Sequence, residues 1–197
     1  LGGEDRIDSL SQSWAALSPY ASPLHVEKAL DAALDRLIDR ENKLVRLFDP
    51  PYSSRERRCG YISGYGEGFR ENGGQYTHGA VWLALAALHR GRTDRGYEIL
   101  QYLLPENHEL KRYGAEPFVL PADVYTAPDR RGEAGWTWYT GSAGWYFRVV
   151  TEELLGLKLR EGKLYIEPNL PSALPSYSVT WIDRQSHLHR IDCDRGR

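Results

Sequence analysis

Apolar positions recur every three to four residues in several separate stretches of the chain, then switch to every second residue past position 156. DSLSQSWAAL (8–17) predicts a short helix opened by Asp8, whose carboxylate suits an N-cap. SPLHVEKALDAALDRLIDRE (22–41) is the clearest helical stretch: Ser22 stands at the cap, Pro23 in the first turn, and Val26, Leu30, Ala33, Leu34, Leu37 and Ile38 share a face. YTHGAVWLALAALHR (76–90) is apolar nearly all round, which predicts a buried helix closed by Gly91. TDRGYEILQYLL (93–104) predicts a helix capped by Thr93 and stopped by Pro105, and SAGWYFRVVTEELLGL (142–157) one capped by Ser142. KLVRLFDPPY (43–52) reads as short extended structure, 53–75 as Gly-rich and irregular, and 105–140 as a long aromatic-rich connection.

Beyond Gly156 the period is two. LKLREGKLYIEPNLP (157–171) has the pattern of a hairpin with a Gly turn, and SYSVTWIDRQSHLHRIDCD (176–194) is strand-like again. The expected fold class is therefore mainly α, with a helical region over 1–156 and a β-strand segment over 157–197. Helix, short turn, helix, long loop is a rhythm that suits helical hairpins set around an axis.

Composition narrows the function. The 197 residues are 41% apolar and 26% charged, the balance of an ordinary globular chain. A net charge of −2 gives no basic field for nucleic acid or anionic membrane. No apolar run approaches the roughly 18 residues of a membrane span, and LGGEDRIDSL lacks the basic and apolar regions of a secretion signal. Cys59 and Cys193 match no metal or redox spacing, which fits a reducing compartment, and the expected location is cytoplasmic. The chain opens on Leu1 and has no methionine, so it is expected to be a piece of something longer. Tyr (13) and Trp (6) outnumber Phe (4), an aromatic set whose flat faces and polar handles suit sugar rings as well as a core.

Three stretches carry the candidate chemistry. In RENGGQYTHGA (70–80), Arg70, Glu71, Gln75 and Tyr76 are fit to bind sugar hydroxyls or phosphate, and His78 falls in a first helical turn, where its imidazole can donate to an anionic oxygen. In GWTWYTGSAGW (135–145), Thr140, Gly141 and Ser142 sit where a helix begins, and free N–H groups there form an anion site. In AEPFVLPADVY (115–125), Glu116 and Asp123 are carboxylates able to hold hydroxyls over a floor of Trp136, Trp138 and Tyr139. Each has a plainer reading: His78 as a core histidine, Ser142 as a helix cap, Glu116 as the partner of Arg112. The other histidines, at 25, 89, 108, 187 and 189, show no ligand spacing around His78, so no metal is expected.

Together with RIDSLSQSWAAL and LFDPPY, these stretches resemble glycoside hydrolase family 94, the inverting β-glucan phosphorylases and the C-terminal part of cyclic β-1,2-glucan synthases. The matching motifs fall in one order across most of the chain, and the synthase branch looks closer than the cellobiose branch. The resemblance implies an (α/α)6 toroid followed by a small jelly-roll-like β part. It also implies that His78, Thr140 and Gly141 hold inorganic phosphate and that Tyr65, Arg70 and Glu71 face the acceptor-side sugar. The residues themselves add Ser142 to the phosphate side and Gln75, Glu116 and Trp138 to the sugar side. The chemistry implied is phosphorolysis with inversion: phosphate is a co-substrate, no cofactor is needed, and one aspartic acid protonates the leaving oxygen. An inverting hydrolase needs a second carboxylate to activate water; a bound phosphate is already the nucleophile.

The family's acid lies in a DWND-like loop that this sequence lacks, so no catalytic residue is expected in this chain and the acid is expected upstream. PDRRGEAGW and GYGEGFREN also depart from the commoner family text. The implied partners are a β-glucan oligosaccharide and phosphate, with the remainder of the enzyme or a second copy of the chain completing the toroid. A location in the cytoplasmic part of an inner-membrane synthase is the alternative. Two further readings stand beside this one: a carbohydrate-binding or structural fragment without activity, and an (α/α)6 hydrolase with paired carboxylates drawn from Asp8, Glu71, Glu116 and Asp123. Half a toroid should leave faces such as the 76–90 helix uncovered and drive association.

Overall fold

A computed structural model describes residues 7–53 and 59–195. Its helices are α1 (Ser9–Leu17), α2 (Pro23–Arg36), α3 (Thr77–His89), α4 (Thr93–Tyr102), the short α5 (Leu110–Tyr113) and α6 (Thr140–Arg148), which runs into a π-helical stretch, Val149–Leu154. Among the described residues the strands form five two-stranded antiparallel pairs.

The core is built around α3. Ala80, Val81, Leu83, Ala84, Ala86, Ala87 and Leu88 are all buried, with α1, α4 and α6 packed on the helix. Small side chains let these neighbours approach closely. Gly96 of α4 shows the tightness: a Cβ there would lie 2.7 Å from Leu88 Cγ. The expectation that this helix has an uncovered face holds only for one stripe: His78, Trp82 and Leu85 are partly exposed and His89 is exposed, while elements of the same chain cover the other sides. Val26, Leu30, Ala33 and Leu34 of α2 complete the cluster as their spacing predicts.

Helix ends differ from the expectation more than helix existence does. Asp8 does cap α1, its Oδ1 accepting from Ser11 N at 2.8 Å. Ser22 precedes α2 without a side-chain cap bond. α2 also stops at Arg36 rather than running to 41. Leu37 and Ile38 stay buried, but Ile38–Asp39 (β2) pairs with Leu44–Val45 (β3), and the Asp39 carboxylate gathers the Asn42 N–H at 3.1 Å to make the turn. Thr93 is the first residue of α4, not its cap, and its hydroxyl bonds Asn169. Ser142 lies within α6; its Oγ donates to Tyr139 O at 2.9 Å, so the residue before the helix is Tyr139.

Two small ribbons hold the loops. Ile7–Asp8 (β1) pairs with Phe48–Asp49 (β4). Gln75–Tyr76 (β5) pairs with Asp123–Val124 (β6), with Tyr76 opposite Asp123. The second ribbon brings the 70–78 stretch and the 115–125 stretch together. Past Gly156 come two hairpins, Leu157–Arg160 (β7) with Lys163–Ile166 (β8), and Ser176–Ile182 (β9) with Leu188–Asp194 (β10). The segment between them is tied to the helices: Asn169 Nδ2 donates to Leu88 O at 3.1 Å, and Ser172 N donates to Asp94 Oδ1 at 2.6 Å.

Candidate functional site

The loop ahead of α3 is knotted by one side chain. Asn72 is fully buried; its Oδ1 accepts from Tyr52 N at 2.8 Å, and its Nδ2 donates to Tyr52 O at 3.0 Å and Tyr65 O at 2.9 Å. An amide satisfied three times over fixes this loop in one conformation. Thr126 Oγ1 adds a bond to Gly73 O at 2.9 Å from the other strand of the site. With the loop fixed, Arg70 and Glu71 are presented beside β6.

Arg70 is the centre of a charged corner. Its Nη1 lies 3.5 Å from Asp123 Oδ1 and its Nε 3.6 Å from Glu71 Oε2, while its guanidinium stacks on Trp136 at 4.2 Å from the ring centroid. Asp123 is wholly buried, and burial pushes its carboxyl above the usual range while Arg70 pulls it back. Burial works against the Arg70 cation, but Asp123 and Glu71 outweigh it and its pKa is raised. Gly135 makes room for the acid: a Cβ there would fall 2.2 Å from Asp123 Oδ1. Arg70 Nε and Glu71 Oε2 meet as an ion pair too long for a hydrogen bond, and Asp123 Oδ2 is buried without a hydrogen-bond partner. Buried polar atoms are nearly always paired, so an unpaired carboxylate oxygen beside a long ion pair is consistent with a site open to rearrangement around a ligand.

His78 makes the second, uncharged corner. A Cβ placed on Gly141 would lie 3.7 Å from His78 Cε1, so the start of α6 and the imidazole face each other. The N–H groups of that first helical turn have no acceptors within the helix. Burial pushes the His78 imidazole below its ordinary value, so it is neutral at pH 7, and its Nε2 is buried without a partner. Trp82 packs against it with ring centroids 4.4 Å apart. Tyr139 joins the two corners, because it precedes α6 and its hydroxyl lies near enough to Arg70 to favour the guanidinium cation.

The remaining expected site residues divide. Trp138 Nε1 donates to Glu116 Oε1 at 3.0 Å, so these two are neighbours at the rim. The Glu116 carboxyl is held below the usual range by its own backbone N–H and by Trp138. Arg112 is not its partner; that guanidinium bonds the Arg131 and Asp129 carbonyls and approaches Glu133. Tyr65 lies under Arg70, 5.9 Å from ring centroid to guanidinium carbon. Gln75 is buried, with its Oε1 accepting from Val45 N at 2.8 Å, so the structure gives it an internal task holding β3 rather than an open face for sugar. Ser142 is buried as well. Asp8, offered above for a paired-carboxylate hydrolase, is occupied as the α1 cap. Alongside Trp138, Tyr139 and Thr140 opens a largely apolar cleft of about 400 Å³, walled by Leu104, Pro105 and Phe118.

Sequence reasoning did not single out Asn72 or pair Asp123 with Arg70. Asn72 sits in a quoted motif, but nothing local reveals that its amide spans three backbone groups. Trp82 was hidden inside an apolar helix.

A profile described as glycosyl hydrolase 94 superfamily, catalytic domain, matches residues 2–156. The chain is 42% identical over 198 aligned positions to the cyclic beta-(1,2)-glucan synthase NdvB of Rhizobium meliloti (strain 1021), covering 98% of this chain and 7% of the synthase. It is 30% identical to the solabiose phosphorylase of Paenibacillus borealis, over 88% of this chain and 23% of that enzyme. The N,N'-diacetylchitobiose phosphorylase of Vibrio proteolyticus is 29% identical, over 94% of this chain and 24% of that enzyme. The chain thus spans under a quarter of the length of these relatives, or about that.

Proposed function

Since the chain belongs to the glycosyl hydrolase 94 superfamily, we propose that it supplies the phosphate-holding and acceptor-sugar side of an enzyme that cleaves or transfers β-glucosidic bonds with inversion. On this reading residues 7–156 are part of an (α/α)6 toroid and the hairpins belong to a following β part. An aspartic acid outside this chain protonates the leaving oxygen while phosphate attacks the anomeric carbon. The glycosidic C–O bond breaks as the phosphate O–C bond forms, giving a sugar 1-phosphate and a freed hydroxyl.

The observation that carries the reading is the approach of His78 to the first turn of α6, where a Cβ added to Gly141 would lie 3.7 Å from the imidazole Cε1. A helix start offers N–H groups and a partial positive charge, Thr140 offers a hydroxyl, and the neutral imidazole is able to donate from one nitrogen. The groups stand in place before the anion arrives, which is the form electrostatic stabilisation takes in enzymes; Thr140 and Gly141 are open to solvent, so an anion can reach them. The corner carrying Arg70 and Glu71 meets the sugar, with Trp136, Trp138 and Tyr65 as flat faces.

Titration of the chain with inorganic phosphate, followed by 31P NMR, tests this. His78→Ala removes a hydrogen bond to a charged group, so phosphate should bind roughly 10- to 100-fold more weakly, with little change in binding of glucose. Phosphate affinity unaltered by His78→Ala would overturn the assignment.

A further inference from the structure

The charged corner holds one cation between two carboxylates. Asp123 lies 3.5 Å from Arg70 on one side and Glu71 3.6 Å on the other. A third carboxylate, Glu116, stands at the rim beside Trp138. His78, across the site, adds no positive charge at neutral pH. The corner is therefore net negative even though it contains an arginine. An isolated arginine fork would capture a carboxylate bidentately; here both sides of the fork are already countered.

We infer that the acceptor side of this site selects uncharged sugars against those bearing a carboxylate, and that Asp123, which no ligand reaches, enforces the choice through Arg70. The inference rests on the carbohydrate reading above and deepens it. Asp123 is wholly buried, and Gly135 is needed to let its carboxylate lie where it does. Its Oδ1 accepts from Arg70 Nη1 at 3.5 Å, while its Oδ2 is buried without a partner. Its consequence for a ligand is its charge, placed one guanidinium away. A neutral hydroxyl meets Arg70 and Glu71 as donor and acceptor. A carboxylate meets two like charges and a cation that has no free charge to offer, and such juxtaposition is the means by which interfaces reject wrong partners.

The test uses the 197-residue chain with glucose and glucuronate, which share a ring and differ in the C6 carboxylate. Binding is read by isothermal titration calorimetry. Glucose should bind at least about tenfold more tightly than glucuronate at low salt. Asp123→Asn keeps the shape and should bring that ratio down to about two- or threefold, chiefly by improving glucuronate. A merely structural acid would instead lower both affinities together, and that result overturns the role of Asp123. Should the variant fail to fold, the wild-type ratio measured from low to about 0.5 M salt decides: screening should shrink it, and a ratio of one at low salt overturns the inference while leaving sugar binding intact. If neither sugar binds, the carbohydrate reading falls and this inference with it.

Discussion

The helical region and the terminal hairpins are equally regular in sequence, yet they hold themselves together in opposite ways. Residues 7–156 turn their apolar period inward: α3 is covered by α1, α4 and α6, and Leu30, Leu83 and Ile99 have no exposed surface. The hairpins keep theirs outside. Leu159, Ile166, Ile182 and Leu188 are exposed, and between the hairpins lies a groove lined by Leu164, Trp181 and Ile191. A two-stranded ribbon has too little area to bury its own face. The difference teaches that alternation specifies a ribbon and its register, while a helix period in a chain this long also specifies a core.

The contrast is sharpest for truncations. Leu30→Ala opens a cavity in the packed cluster and should cost about 3 kcal/mol or more. Ile182→Ala, at a position mostly open to water, should stay within about 0.5–1 kcal/mol. Urea denaturation of the two variants checks this; equal losses would erase the distinction between the regions.

Between these extremes stands the loop that presents Arg70. Asn72→Ala removes three hydrogen bonds to the backbone of Tyr52 and Tyr65 and should cost about 2–3 kcal/mol. It should also loosen Arg70 and weaken glucose binding. A variant as stable as wild type would show that the loop is held by the β5–β6 ribbon instead.

What was legible follows from how far each signal reaches. The longer helices and the first hairpin are local, so periodicity placed them, with α2 five residues too long; the second hairpin read only as strand-like, and the four-residue α5 was hidden in the long connection. The cap expectations at Ser22, Thr93 and Ser142 missed because a hydroxyl goes to its best acceptor, and for Thr93 that is Asn169, far along the chain. The overlong α2 has a similar cause: Leu37 and Ile38 keep the apolar pattern, and only the pairing of β2 with β3 ends the helix. In the candidate site, motif text pointed to Arg70, Glu71, His78 and the start of α6, which the structure brings together. Gln75 looked like a ligand-facing amide because sequence cannot show that Val45 N–H uses it. The Asp123–Arg70 pair joins residues 53 positions apart, beyond any local reading.

The smallest expected effect concerns the link between the two regions. Ser172 gives Asp94 both its N–H, at 2.6 Å, and its hydroxyl, at 3.0 Å. These bonds favour the ionised acid and hold its carboxyl below the usual range, the backbone N–H first. A depressed carboxyl contributes stability in full above its unfolded value of about 3.9, and loses it as pH falls through the lower folded value. Acid should therefore loosen the 168–172 segment before the α3 core responds. Hydrogen exchange at the Ser172 amide, followed from pH 6 to pH 3 against amides of α3, reads this directly. Asp183 in the β9–β10 turn is also depressed, by His189 and the His187 N–H, so the comparison must be made with Asp94→Asn. That variant should show fast Ser172 exchange at every pH and lose the pH step, while the Asp183 turn keeps its own. If Ser172 exchange keeps its acid step in Asp94→Asn, the hairpins are fastened to the helices by Asn169 and Tyr177, and the regions are joined by uncharged bonds alone.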